Sequence, residues 1–395
     1  MSDESKPEAS TDPMRDEVAH DSRGATGAFS PPVEDPKDAN DPATLLGVRE
    51  HFSLSESLRA LSHWELGVIE RVREFRRGSR RSPKLRIATD RGEFLLKRRA
   101  PGRDDVARVT LAHELQVQLA EAGYPVAPLI STRKGESRVE LDGRIYELFR
   151  YIDSTGFPKT AAAAGSAGAV LARLHALTAR RREAVEIRAG TFHAARTIES
   201  AFHQLPAAVA TVEGEAEAES LARTCRLLRK GYLEAARRVE ACGWANWPRQ
   251  LLHGDWHPGN VLFRGDEVTA VLDFDSARLE PRAADISNGL LQFTMLMSVP
   301  DDPLSWPDGF DGARLESFLR GYDLSLREHG GEPLSEPEQS ALPWLMIEAL
   351  IVESAVPIAA TGSFASIRGS AFLQMVERKV DWIWRRSAKL KRLLG

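Results

Sequence analysis

The sequence predicts an α+β protein in which antiparallel hairpins come first and helices follow. Three observations carry that reading. Residues 84–89 and 93–98 read as strands joined at Asp90-Arg91-Gly92. Residues 138–141 and 144–151 flank Asp142-Gly143, a pair that favours a type I′ hairpin turn. From residue 160 onward, apolar residues recur mostly at helical spacing. A chain of 395 residues is long enough for two lobes, each with its own core.

The elements follow in order. Residues 1–43 hold eleven Asp or Glu and four Lys or Arg without apolar periodicity, the composition of a disordered acidic tail. Leu58, Leu61, Leu66, Ile69, Val72 and Phe75 recur at helical spacing, predicting a helix over 55–75 capped by Ser55 or Ser57. After the first hairpin, Val109, Leu111, Ala112, Leu115 and Leu119 predict a helix over 105–122, ended by Gly123-Tyr124-Pro125. Beyond the second hairpin, helices are expected over 160–178, 190–204, 215–242, 311–328, 337–358 and 366–392. A further helix opens after Pro281.

One stretch organises the rest. Residues 251–275 read LLHGDWHPGNVLFRGDEVTAVLDFD, a short hairpin with a polar loop before it and an acidic pair after it. Asn260 follows Asp255 by five positions, the spacing of a kinase catalytic loop, and Asp273-Phe274 follows a strand as a metal-binding Asp does. Phosphoryl transfer needs an anion to take the acceptor hydroxyl proton and oxygen ligands for Mg²⁺. Asp255 suits the first role, Asn260 and Asp273 the second. His253 reads as a group that holds the loop, and Trp256 as a packing residue.

His253-Gly254-Asp255-Trp256-His257-Pro258-Gly259-Asn260 followed by Leu272-Asp273-Phe274-Asp275 resembles the aminoglycoside phosphotransferase and choline kinase-like family. Its homoserine kinase-like and spore-coat-kinase-like members are the nearer likeness. The resemblance implies a protein kinase-like two-lobed fold, with ATP and Mg²⁺ as cofactors. It implies a nucleotide-binding lobe over 44–152 and a helical lobe over 153–395 with the catalytic loop and the acceptor site. It assigns Lys97 to the phosphates and Glu114 to an ion pair that braces Lys97. Gly78 and Ser79 stand where such a fold places its phosphate-covering loop, although no Gly-x-Gly-x-x-Gly occurs there. Adenine contacts are expected near Leu148, Phe149 and Tyr151, made mainly by the main chain. Asp285 is expected to support the catalytic loop.

Composition narrows the setting. Hydrophobic content of 42% and charged content of 28% are those of a globular protein. The net charge is −4, the tail carries −7 and the rest of the chain therefore only +3, so nothing points to nucleic acid as a partner. Residues 341–360 are apolar but interrupted by Glu348 and Glu353, which reads as a buried amphipathic helix and not a membrane span. Two cysteines and no secretory signal fit a cytoplasmic location. The expected acceptor is a small-molecule hydroxyl: an amino alcohol, homoserine-like or aminoglycoside-like. A Ser/Thr protein kinase or a nucleotide-binding pseudokinase of the same fold are the alternatives. Glu348, Glu353 and Trp344 are the side chains considered for a cationic acceptor.

Overall fold

The computed structural model describes residues 49–76, 81–179 and 192–394. The tail expected over 1–43 and the loop residues Gly78 and Ser79 lie outside the described residues.

The first helix, α1 (Leu54–Leu61), is capped by Ser53, not by Ser55 or Ser57. The Ser53 hydroxyl accepts the Glu56 N–H at 3.1 Å, and the Glu56 carboxylate accepts the Ser53 N–H at 3.3 Å. The helix expected over 55–75 stops at Leu61, and Ile69–Glu74 forms strand β1 instead. Ile69, Val72 and Phe75 fit a helical period, but β-branched Val68, Ile69 and Val72 also favour extended chain. Pairing with the next strand decides between them.

That strand is β2 (Lys84–Thr89), followed by β3 (Gly92–Arg98), α2 (Val106–Glu121), β4 (Val139–Leu141) and β5 (Arg144–Arg150). The five strands form one antiparallel sheet in the order β1-β2-β3-β5-β4. Asp142 and Gly143 both take positive φ, 52° and 70°, as a type I′ turn requires. Side chains alternate across the strands. Leu85, Ile87, Phe94, Leu96, Tyr146 and Leu148 bury one face against α1 and Trp64. The opposite face therefore carries Lys84, Arg86, Leu95, Lys97, Glu147 and Phe149.

The helical part comprises α3 (Ala161–Thr178), α4 (Ile198–Glu213), α5 (Glu215–Ala241), α6 (Ala283–Thr294), α7 (Gly312–Glu328), α8 (Glu336–Thr361) and α9 (Gly369–Leu394). It also holds six short strands among the described residues: β6 (Gln250–Leu252), β7 (Val261–Arg264), β8 (Glu267–Val271), β9 (Arg278–Glu280), β10 (Ser363–Phe364) and β11 (Ile367–Arg368). β7 and β8 form the expected hairpin, while the pairing of β6 with β9 has no local sequence signal. Helix α4 is displaced from the expected 190–204 and runs through Pro206. Phe202, Leu205 and Val209 are all buried, so packing outweighs the hydrogen bond that proline removes.

Helices α3 and α7 touch backbone to backbone. A β-carbon on Gly168 would fall 2.0 Å from the Phe318 carbonyl oxygen, and one on Gly321 2.1 Å from that of Gly165. This contact holds His175 on α3 against Tyr322 on α7, Nδ1 to hydroxyl at 2.8 Å. Helix α8 is long and apolar enough to cross a membrane by length and composition, yet 72% of its most apolar window is packed inside the protein. It is the expected core helix. Cys225 and Cys242 are both free thiols.

Candidate active site

The loop between β6 and β7 is built on Asp285, in the first turn of α6. The His253 N–H donates to Asp285 Oδ2 at 2.8 Å and the Gly254 N–H to Oδ1 at 2.9 Å. Burial pushes the Asp285 carboxyl up, but His175 and the cations around it prevail and hold it below its ordinary value. Gly254 sits at φ 80°, where a β-carbon would lie 2.1 Å from the Ser276 carbonyl oxygen. Its own carbonyl accepts from Arg278 Nη1 at 2.7 Å. The buried ring of His253 donates from Nε2 to the Leu272 carbonyl at 2.9 Å and accepts the Asp255 N–H at Nδ1, 3.2 Å. Both nitrogens are committed, so His253 holds the loop and moves no proton. Trp256 is fully buried.

This frame presents Asp255. Asn260 donates from Nδ2 to Asp255 Oδ2 and to the Asp255 carbonyl, each at 3.0 Å. His257 approaches the same Oδ2 at 3.5 Å. Oδ1 has no hydrogen-bond donor among the described residues. Burial pushes the Asp255 carboxyl up, but His257 and Asn260 outweigh it and keep it an anion. With the Asn260 nitrogen committed twice, its oxygen is the end available to a cation. Asp273 occupies left-handed backbone, φ 60° and ψ 67°, strain of the kind that collects at functional sites. Its side chain is 38% exposed, against 11% for Asp275. Lys97 draws the Asp273 carboxyl down, but burial and the negative charge of Asp275 prevail and raise it. One amide oxygen and one open carboxylate fit Mg²⁺, which takes a few protein oxygens and leaves the rest of its shell to phosphates and water.

Lys97 is the cation of the site, and its surroundings correct one expectation. Glu114 lies on the exposed face of α2 and does not brace Lys97. The buried stripe of that helix passes through Val109, Ala112, His113 and Gln116, which leaves Glu114 about 100° away. The bracing carboxylate is Glu147, directly opposite Lys97 in the β3–β5 ladder. Lys97 Nζ lies 3.9 Å from Glu147, 3.6 Å from Asp273 and 3.4 Å from Asp275. Burial alone would lower the ammonium, but these three carboxylates raise it above its ordinary value. Glu147 Oε1 also takes Arg99 Nε at 2.7 Å and the His113 ring. Arg99 Nη2 reaches on to Asp275 Oδ1 at 2.7 Å. On the other side, Lys84 of β2 is in register with Lys97. Burial and the charge of Lys97 bring Lys84 down to about 8.

The sequence carried a signal for Glu147: the one charge between the terminal arginines of β5, in a stretch, Ile145 to Leu148, that is buried on both faces. Arg99, His113 and Lys84 had none without the register. Phe149 and Tyr151 share the sheet face of Lys97. Their main chain is less open than expected, because the Tyr151 N–H donates to the Glu93 carbonyl at 2.9 Å and the Arg150 N–H to that of Pro128 at 2.8 Å. The Tyr151 ring lies under the Arg86 guanidinium, 3.9 Å from its centroid. Of the three acceptor-side candidates, only Glu353 joins the catalytic loop electrostatically. Glu348 is paired with His193 at 2.9 Å, and Trp344 packs on Trp384 and Arg238.

An antiparallel sheet bearing a braced lysine, with a loop that presents Asp255 and Asn260 and a turn that presents Asp273, is the arrangement of a kinase-like phosphotransferase. The chain belongs to the APH phosphotransferase enzyme family, whose profile matches residues 71–333. It is 26% identical over 328 residues to a homoserine kinase of Rhodopseudomonas palustris, covering 82% of this chain and 83% of that one. To a homoserine kinase of Afipia carboxidovorans it is 29% identical over 143 residues, 35% of this chain and about a third (33%) of the relative. An aminoglycoside phosphotransferase from Alicyclobacillus acidocaldarius has the same fold, with a TM-score of 0.61 at 15% identity, covering 88% of this chain and 99% of that one. Membership of that family makes the protein a phosphotransferase.

Proposed function

We propose that this enzyme moves the γ-phosphate of ATP, with Mg²⁺, to the hydroxyl of a small amine-bearing alcohol, homoserine being the first acceptor to test. The observation that carries the reading is Asp255, one carboxylate oxygen clamped by Asn260 and the other left for an acceptor hydroxyl. Asp255 Oδ1 takes the hydroxyl proton and orients the oxygen for attack. Asn260 and Asp273 would hold the cation, which when bound neutralises charge on the phosphates. Lys97, kept charged by Asp273, Asp275 and Glu147, steadies the phosphates from the sheet side, and the rings of Phe149 and Tyr151 flank the base. Little bond-making falls to the protein; positioning and charge stabilisation supply the rate. In this reading residues 44–152 serve the nucleotide and 153–395 the acceptor, in a cytoplasmic protein. The relatives named homoserine kinase support the choice of acceptor class.

The test is an ADP-release assay with mass detection of the product over homoserine, 1-amino-2-propanol, choline and an aminoglycoside. Asp255→Asn is expected to lower turnover ~10²- to 10⁴-fold while binding of AMP-PNP persists. Unchanged turnover in that variant removes Asp255 as the base.

A further inference from the structure

The sheet face that carries Lys97 is divided along its length. Toward the β2–β3 turn, Arg86 is held by Glu93, Nη2 to Oε2 at 2.6 Å, and its guanidinium covers the Tyr151 ring. Two residues back on the same face, ~7 Å along the strand, β2 opens with the half-buried Lys84. Lys84 pairs with Lys97 across the β2–β3 ladder, which sets two lysines side by side, their β-carbons about 5 Å apart. The backbone here is fixed from both sides. The Lys84 carbonyl accepts the Phe75 N–H at 2.8 Å, and the Pro83 carbonyl accepts the Arg98 N–H at 3.1 Å. The Lys84 ammonium donates to the Ser82 carbonyl at 3.3 Å, and the buried Ser82 hydroxyl donates to the Arg98 carbonyl at 2.7 Å.

Like charges directly opposite in a sheet repel, and burial strengthens the repulsion. Burial and Lys97 lower the Lys84 ammonium to about 8, Arg49 adds to the repulsion, and Asp273 and Asp275 offset only part of it. The carboxylates act more strongly on Lys97, where Asp275, Asp273 and Glu147 lie 3.4, 3.6 and 3.9 Å away. Asp273 is moreover the carboxylate proposed for the metal ion. A position where cations crowd and carboxylates fall short suits an anion of more than one charge. Kinases cover the phosphates with a Gly-rich loop. Residues 76–83 hold one glycine, Gly78, so a side-chain cation on the strand that follows has that part to play.

We propose that Lys84 is a second phosphate-binding lysine, which with Lys97 straddles the terminal phosphates of the nucleotide, one lysine from each strand of the hairpin. The inference rests on the ATP reading above. Lys97, braced by Glu147 and the turn of Asp273, fixes where the phosphates lie. Lys84 adds a charge that the surrounding carboxylates do not balance, so bound phosphates relieve the repulsion between the two lysines. An ammonium meets them as a compact charge with three donors. Arg86 does not share the role, because Glu93 and the Tyr151 ring already hold it.

Binding of adenosine, ADP and AMP-PNP in the presence of Mg²⁺ is measured by calorimetry at pH 7, so that the readout depends neither on turnover nor on the acceptor. Lys84→Met is expected to weaken AMP-PNP and ADP ~10- to 100-fold, the worth of a hydrogen bond to a charged group, and to leave adenosine unchanged. Lys84→Arg, which keeps the charge, should recover most of the AMP-PNP affinity. Lys84→Gln decides the matter if Lys84→Met does not fold. AMP-PNP held as tightly by a folded, uncharged variant as by wild type overturns the proposal and leaves the ATP reading standing. An equal loss for adenosine also overturns it, because a residue that only shaped the strand would move both probes. Wild type that binds AMP-PNP no more tightly than adenosine counts against the ATP reading and the proposal together.

Discussion

Arg99 donates to Asp275 at 2.7 Å, tying the chain just after β3 to the turn that carries Asp273. The same guanidinium holds Glu147, so one cation serves two buried carboxylates. Arg99→Met should take the short guanidinium contacts from both, leaving them to Lys97 and, for Glu147, His113, and cost about 3–5 kcal/mol in denaturant unfolding. A loss under about 1 kcal/mol would mean the pair is effectively solvated. The sign with pH follows from the depressed carboxyls. Burial opposes ionisation of Glu147 and Asp275, but Lys97 and Arg99 hold both below their ordinary values. Their contribution is present above the ordinary carboxylate range and is lost as pH falls through the lower folded values. Arg99→Met should flatten that acid limb.

Glu147, not Glu114, should control nucleotide use. Glu147→Gln is expected to lower kcat/KM for ATP at least ~10-fold, equivalent to about 1.4 kcal/mol. Glu114→Gln should stay within about 0.5 kcal/mol of wild type in stability, as exposed substitutions do. The two variants are compared in one steady-state assay with ATP varied. A reversed order would restore the helix glutamate as the partner of Lys97.

Asp285 should act on chemistry without touching a reactant. Asp285→Ala leaves the N–H groups of His253 and Gly254 buried without an acceptor, at roughly 1–3 kcal/mol each. Turnover should fall while the affinity for AMP-PNP changes little, because the loop that moves is the one bearing Asp255. Asp285→Asn, which keeps one acceptor oxygen, should recover part of both losses. An Asn variant no better than Ala would argue against the hydrogen-bond account.

Glu353 should leave a mark on stability. Burial and the charge of Asp255 push its carboxyl up to about 7. Its folded value lies above its unfolded one, so its contribution is greatest below pH ~4.3 and declines as pH rises toward about 7. Replacing it with Gln should therefore stabilise the protein at pH 8 relative to pH 5. The check is thermal unfolding of wild type and Glu353→Gln across that range. A pH-independent difference would show that Glu353 does not titrate there.

Local signals in the chain were enough for the three hairpins and for most helices, and motif spacing singled out Asp255, Asn260 and Asp273 as candidates; Lys97 and Asp285 were named through the family resemblance. Turn chemistry, period and motif spacing act over a few residues, and those are written in sequence order. They failed where two periods share one spacing, as at Ile69, Val72 and Phe75, and where packing overrode a breaker, as at Pro206. Tertiary structure alone decided which carboxylate meets Lys97. A helix turns 100° per residue, so Glu114 faces out while His113 faces in, and strand register brings Glu147 to Lys97 from fifty residues away. It alone also set Glu353 beside Asp255, because helix packing, not proximity in the chain, brings those two carboxylates within electrostatic reach.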